Sequence, residues 1–289
     1  MLVMLGSGDF KYERIPLWPN LPKYWDFGAT SDVDVNSLDE IHVFSRGKHP
    51  LTIWDLEGNF ISSWGEGEFS NNEHGIYIDK HDSIWLVDAN YHIVTKHSPD
   101  GTLLTTLGNK LIPSDTYYGH PFNMPSGLSI SSKGDIYVSD GYGNKRVHKF
   151  DRFGLLDKSW GKFGAGKSEF AIVHNIAIDK DDRVFVCDRE NNRIQIFNSE
   201  GNYLDEWTDL HMPGDIYIDK DIAYVVEQTE VGGVSIWTLE GELITRWWAH
   251  KGEGKGSLIS GHGICVDSQG SIYVAELSPA NRVSKFQKI

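Results

Sequence analysis

Three histidines head segments of one pattern: His74-Gly75-Ile76-Tyr77-Ile78-Asp79, His174-Asn175-Ile176-Ala177-Ile178-Asp179 and His262-Gly263-Ile264-Cys265-Val266-Asp267. Three imidazoles facing one point, with positions left open for water or substrate, make a divalent-metal site. Zinc (Zn) is the commonest fit, and iron, cobalt or manganese can be held the same way. Arg189 lies 15 residues beyond His174, and Arg46 and Tyr142 lie 15 and 16 residues beyond the matching positions Ser31 and Ser126. Two guanidiniums at one mouth would clamp a substrate carboxylate with bidentate geometry. A phenol beside a metal and an arginine would have a lowered pKa and serve as a base. The plainer alternatives are ordinary strand-end histidines, and arginines paired with neighbouring acids such as Asp188 or Glu190.

Such a constellation needs elements that bring distant segments to one axis, and an internal repeat supplies them. The six copies begin at 31, 74, 126, 174, 214 and 262, so they are spaced by 43, 52, 48, 40 and 48 residues. Each copy reads as short alternating strands, as in Arg183-Val184-Phe185-Val186-Cys187-Asp188, Arg193-Ile194-Gln195-Ile196-Phe197 and Tyr203-Leu204-Asp205-Glu206-Trp207. Four strands per unit is a propeller blade, and six units predict an all-β, six-bladed β-propeller of four-stranded antiparallel blades in one domain, 1–289. The last copy runs out of sequence after its third strand. Phe10-Lys11-Tyr12-Glu13-Arg14-Ile15 is expected to supply the missing outer strand and close the ring. The first strand of a blade lies innermost, so its head and the loop after the second strand open on the same mouth of the channel. Histidine heads blades two, four and six, which lie near 120° apart.

Weaker features surround this ring. Asp79, Asp179, Asp219 and Asp267 fall at the first hairpin turn, where turn capping is expected. Trp64, Trp160 and Trp207 fall near the ends of fourth strands and suit inter-blade packing. Long connections, 109–125, 161–173 and 249–261, enter blades three, four and six on the mouth side. Tyr117, Tyr118, His120 and Phe122 are expected to wall a pocket there.

Composition bounds the partners. Forty-one acids against 27 bases give a formal charge of −14, which argues against nucleic acid or an anionic membrane. A small-molecule ligand or a metal in a local pocket stays open. Thirty glycines with 10 Trp, 12 Tyr and 13 Phe suit strands joined by tight turns. Cys187 and Cys265 form no metal-binding spacing and no disulfide framework. With no signal peptide and no apolar run of membrane-spanning length, a cytoplasmic location is expected. Oligomeric state is not legible.

The blade signature resembles NHL-repeat propellers, and within them peptidyl-α-hydroxyglycine α-amidating lyase and its bacterial relatives. The resemblance runs from about Val33 to Phe286. It rests on Asp140-Gly141-Tyr142-Gly143-Asn144-Lys145-Arg146, on Asp188-Arg189-Glu190-Asn191-Asn192-Arg193-Ile194-Gln195, on Phe44-Ser45-Arg46-Gly47, and on the strand heads at His74 and His174. It implies that His74, His174 and His262 bind a catalytic zinc, that Tyr142 is the base, and that Arg46 and Arg189 handle substrate and charge. The implied reaction splits an α-hydroxyglycine N–Cα bond into an amide and glyoxylate. The chain departs from the family at Ser260-Gly261-His262-Gly263, where the animal enzyme has Met-Pro-His-Asp. That aspartate is a ligand of the family's structural calcium (Ca); only backbone carbonyls at Val33 and Ile76 are left to contribute, which puts calcium in doubt. Gly143 and Ile196 occupy two of the family's disulfide-cysteine positions, which fits an intracellular setting and argues against a secreted peptide hormone as substrate. Three functions stay open: a metal-dependent lyase acting on a small carboxylate-bearing α-hydroxy amide, a metal-dependent hydrolase of a small ester or lactone, and a non-enzymatic interaction scaffold.

Overall fold

Each blade's second strand is buried along its whole length where it repeats as Ile41–Ser45, Ile84–Asp88, Ile136–Asp140, Val184–Asp188 and Ile272–Glu276. These strands lie between neighbouring blades and are covered on both faces, so they read as apolar runs rather than as strict alternation. The fourth strands, such as Phe60–Trp64 and Leu103–Gly108, lie outermost and are largely exposed.

The computed structural model describes residues 4–114, 120–229, 232–248 and 258–289. It is a ring of six antiparallel blades. The innermost strands are Thr30–Val35, Glu73–Ile78, Gly127–Ile130, Val173–Ile178, Pro213–Asp219 and Gly261–Val266. Closure follows the sequence reading: Phe10–Ile15 pairs with Arg282–Lys288, Arg14 opposite Phe286. Met4–Ser7 then adds a fifth, outermost strand to this sheet, which the repeat count did not anticipate.

Aromatic packing holds blade to blade. Trp64, Trp160 and Trp207 lie against the turn glycines Gly101, Gly201 and Gly241 of the following blade. Those glycines have φ of +87°, +76° and +87°, and a Cβ there would meet the indole within 3.0 Å. Only glycine meets both demands. Asp79, Asp179 and Asp267 each accept two backbone N–H bonds across their turns, as capping requires. Asp219 does not: the turn of blade five is shorter, and Asp219 pairs opposite Ile222 as the last residue of its strand. Cys187 and Cys265 are both buried and free. Among the described residues no helix is long and apolar enough to cross a membrane.

Candidate metal centre at one mouth of the channel

The three strand-head histidines meet on the axis. Their ring centroids are 4.9 Å (His74 to His174), 4.8 Å (His74 to His262) and 4.7 Å (His174 to His262) apart. Each is buried, and the donor atoms of the three lie within 4.8 Å of one another. The blades between them fix their orientation. His74 Nδ1 bonds the Ser126 carbonyl, His174 Nδ1 the Gly214 carbonyl and His262 Nδ1 the Ser31 carbonyl, each at 2.6 Å. A carbonyl only accepts, so every Nδ1 carries the hydrogen and every Nε2 of a neutral ring keeps its lone pair. Burial, with the neighbouring histidines and arginines, holds all three far below the ordinary imidazole range, His262 at about 3. The rings are therefore neutral at physiological pH.

One atom makes the set look incomplete as a purely structural cluster. His174 Nε2 is buried and has no hydrogen-bond partner. Buried polar atoms are normally satisfied, so an orphan imine nitrogen beside two similar ones fits a metal better than a packed core.

Tyr142, at the loop after the second strand of blade three, donates its hydroxyl to His74 Nε2 at 3.0 Å. The Arg189 guanidinium lies 5.8 Å from the Tyr142 ring centre. Arg46 Nε donates to Ser31 Oγ at 3.2 Å and to the Glu73 carbonyl at 3.1 Å. These residues share a cavity of about 380 Å³ with Asn72, Met124, Gln228 and Leu277. Two expectations change here. Burial pushes the Tyr142 hydroxyl up, and the opposing pull of Arg189 and Arg46 does not overcome it, so the phenol is not acidified by the protein alone. Arg189 also pairs with Glu190 at 2.6 Å, as the plainer alternative anticipated, while its Nη1 donates to Gln228 at 3.1 Å. Among the described residues Arg46 has no such acid partner; it is held by a hydroxyl and a carbonyl.

Other predicted residues lie elsewhere. Phe122 is 1% exposed and packs with Leu107, Val138 and Phe150 inside the blade two–three core, so it does not wall the cavity. His120 is exposed and outside the cavity lining. Tyr117 and Tyr118 lie outside the described residues.

Deeper in the channel, the calcium expectation meets a different arrangement. A Cβ on Gly263 would fall 2.0 Å from Asp32 Oδ1, so the Asp32 carboxyl fills the place a side chain at 263 would take. Asp32 accepts the Val33 and Ile76 amides at 2.8 and 3.0 Å, and Asp215 accepts those of Ile216 and Ile264 at 2.7 and 2.9 Å. Asn175 donates to Asp215 at 2.5 Å. Burial pushes both carboxyls up, Asp215 to about 7; the Asp215 charge raises Asp32 further, while a side-chain hydrogen bond with Asp32 pulls Asp215 down. Calcium takes six to eight oxygens, roughly. Each carboxyl here already accepts two or three N–H bonds, so the pair has fewer free lone pairs than that number, and calcium is not assigned to it. Sequence reasoning missed this network, although it follows directly from the residues one past each strand head: Asp32, Gly75, Gly127, Asn175, Asp215 and Gly263.

Comparison with known proteins follows the geometry. The NHL repeat model matches residues 122–150, 170–197 and 262–286. Peptidyl-alpha-hydroxyglycine alpha-amidating lyase 1 of Drosophila melanogaster is 28% identical over a match covering 82% of this chain and 48% of that protein. This chain is a six-bladed propeller that carries NHL repeats in the matched segments and resembles the amidating lyases. The propeller also resembles NHL repeat-containing protein 3 of Homo sapiens, 29% identical over 76% of this chain and 67% of that one. The chain thus spans about half of the fly lyase and two-thirds of the human protein. A gluconolactonase of Xanthomonas campestris shares the fold, with a TM-score of 0.69 at 12% identity, covering 97% of this chain and 90% of that one.

Proposed function

We propose that this propeller is a metal-dependent lyase, cleaving the N–Cα bond of a small α-hydroxyglycine-like amide to an amide and glyoxylate. The observation that carries the proposal is the three Nε2 lone pairs, set by three Nδ1–carbonyl bonds and left with an orphan at His174. His74, His174 and His262 would hold the ion, zinc being the commonest match for three imidazoles. Bound there, a divalent cation supplies Lewis-acid polarisation of a substrate hydroxyl and positive charge that favours the Tyr142 phenolate.

The residues of the chain do the rest. Arg46 and Arg189 flank the cavity and bind the substrate carboxylate, Arg189 exchanging its exposed contact with Glu190 for the ligand. Tyr142, whose hydroxyl would give up its bond to His74 Nε2 when the ion takes that lone pair, takes as the phenolate the proton of the substrate hydroxyl. The oxygen electron pair becomes the aldehyde carbonyl as the N–Cα bond breaks, and its electrons pass to the amide nitrogen. That nitrogen recovers the proton from Tyr142, so the phenolate is restored and no proton is consumed. Met124, Ile259 and Leu277 line the cavity and receive the apolar part of the substrate.

The test is product formation. Metal-loaded protein should release glyoxylate and amide in equal amounts from an N-acyl-α-hydroxyglycine, and the stripped protein should not. Equal rates with and without metal, or no glyoxylate above the spontaneous rate, would refute the assignment.

A further inference from the structure

The opposite face of the ring carries a second site candidate. Five of the six blades join their first two strands by the same four-residue turn, starting at Asn36, Asp79, Ser131, Asp179 and Asp267. The second turn residue of one blade faces the fourth of the next. Ser37 bonds Asp82, Ser132 bonds Asp182 and Ser268 bonds Asp39, each through both backbone N–H and hydroxyl. Blades four and five are joined instead by Lys180 and Asp221 at 2.7 Å. These contacts seam neighbouring blades on this face.

Among the described residues the seam is absent between blades five and six, where Gly270 holds the fourth position, and between blades two and three. Lys80 stands where the serine would be, and Gly134 where the aspartate would be. That fourth position is left-handed in both forms, with φ of +59° at Asp82 and +88° at Gly134. Aspartate and glycine both tolerate this backbone, so the glycine removes the carboxylate without changing the turn. What opens there is a cavity of about 480 Å³ lined by Lys80, Lys96, Lys133, Arg152 and Lys180, with Tyr77, Ile130, Ile136 and Ile178 as apolar lining.

The charges do not cancel within this cavity. Its two carboxylates are already engaged: Asp79 with Lys96 at 3.2 Å and Asp179 with Arg183 at 2.6 Å, besides their turn amides. Lys180 is shared with Asp221. Lys80, Lys133 and Arg152 have no carboxylate in salt-bridge reach among the described residues. These three exposed bases without an acid partner, lining one cavity, offer countercharge to a bound anion. A lone carboxylate leaves most of that charge unmet, whereas a phosphate monoester brings nearly two charges and three acceptor oxygens. The apolar lining asks for an organic group on the phosphate.

We propose that this gap between blades two and three binds a small organic phosphate. The probe is phenyl phosphate, titrated calorimetrically into the full chain, with phenol and inorganic phosphate as the two halves. Saturable one-to-one binding is expected, tighter than either half. Replacing Lys80→Ala and Lys133→Ala together should weaken it by at least about tenfold and leave the melting temperature unchanged, since both side chains are exposed. His174→Ala, at the other mouth, should leave it unaltered. Three results would overturn the proposal: no saturable binding at millimolar probe, binding indifferent to the double substitution, or binding abolished by His174→Ala. Inorganic phosphate binding as tightly as phenyl phosphate would refute the apolar part.

Discussion

Replacing His174 with alanine should cost modestly in the stripped protein and far more in the metal-loaded one. In the stripped state His174 contributes one bond, Nδ1 to the Gly214 carbonyl at 2.6 Å, and carries an unsatisfied Nε2. A net hydrogen bond is worth about 1 kcal/mol, and an unsatisfied buried polar atom costs about 1–3 kcal/mol. The substitution relieves the second but loses the first, leaves the Gly214 carbonyl without that donor and opens a cavity where a buried ring stood, so a net loss of about 1–3 kcal/mol is expected in the stripped state. Loading changes this. Metal at roughly a thousand times its dissociation constant stabilises the folded state by about 4 kcal/mol, or about 8 °C at roughly 2 °C per kcal/mol for a chain of this size. His174→Ala should erase most of that gain. Unfolding of wild type and variant, each with zinc and with chelator, closes a cycle whose coupling energy should approach the full metal term. A wild type that melts at one temperature with and without zinc refutes the reasoning. So does a variant that gains as much from zinc as the wild type.

Further outcomes are expected. Tyr142→Phe should keep the melting temperature and metal content while glyoxylate release falls by at least about a hundredfold; a loss of metal instead would make Tyr142 structural. His42 is buried with both ring nitrogens unpartnered and is held at about 4, by burial. Below its ordinary pKa of 6.5 the unfolded chain takes the proton first. Wild type should therefore lose about 3 kcal/mol relative to His42→Leu as pH falls from 6.5 to 4, and nothing above 6.5, which urea titrations at stepped pH will read. Gly263→Ala sets a Cβ 2.0 Å from Asp32 Oδ1 and 2.7 Å from its Cα, so a loss of about 3 kcal/mol, near 6 °C, is expected; an unchanged melting temperature would contradict the channel geometry. A calcium-selective chelator should leave the melting temperature of the protein unchanged.

Much of the fold was legible because a propeller repeats its message. The same strand, turn and strand recur six times, and a missing outer strand at one end matched a spare strand at the other. The short turn at Asp219 and the extra strand Met4–Ser7 were not legible, since each departs from the repeat in a single copy. At the site, strand direction and blade position were enough to bring His74, His174 and His262 to one point, with Tyr142 and the two arginines beside them. Their orientation was not readable in advance. It depends on main-chain carbonyls at Ser31, Ser126 and Gly214, and a main-chain atom leaves no mark in residue identity beyond the smallness of those three residues. Phe122 misled because its place in a long connection says nothing of its side chain, which turns into the core. The Tyr142 hydroxyl misled because sequence shows the charges near it and not how deeply it is buried.

Anomalous diffraction at the zinc edge, from crystals of zinc-loaded protein, tests the account most directly. It predicts a single peak on the channel axis, about 2.1 Å from Nε2 of His74, His174 and His262. An axis without a peak between those atoms, or a peak instead beside Asp32 and Asp215, would contradict it.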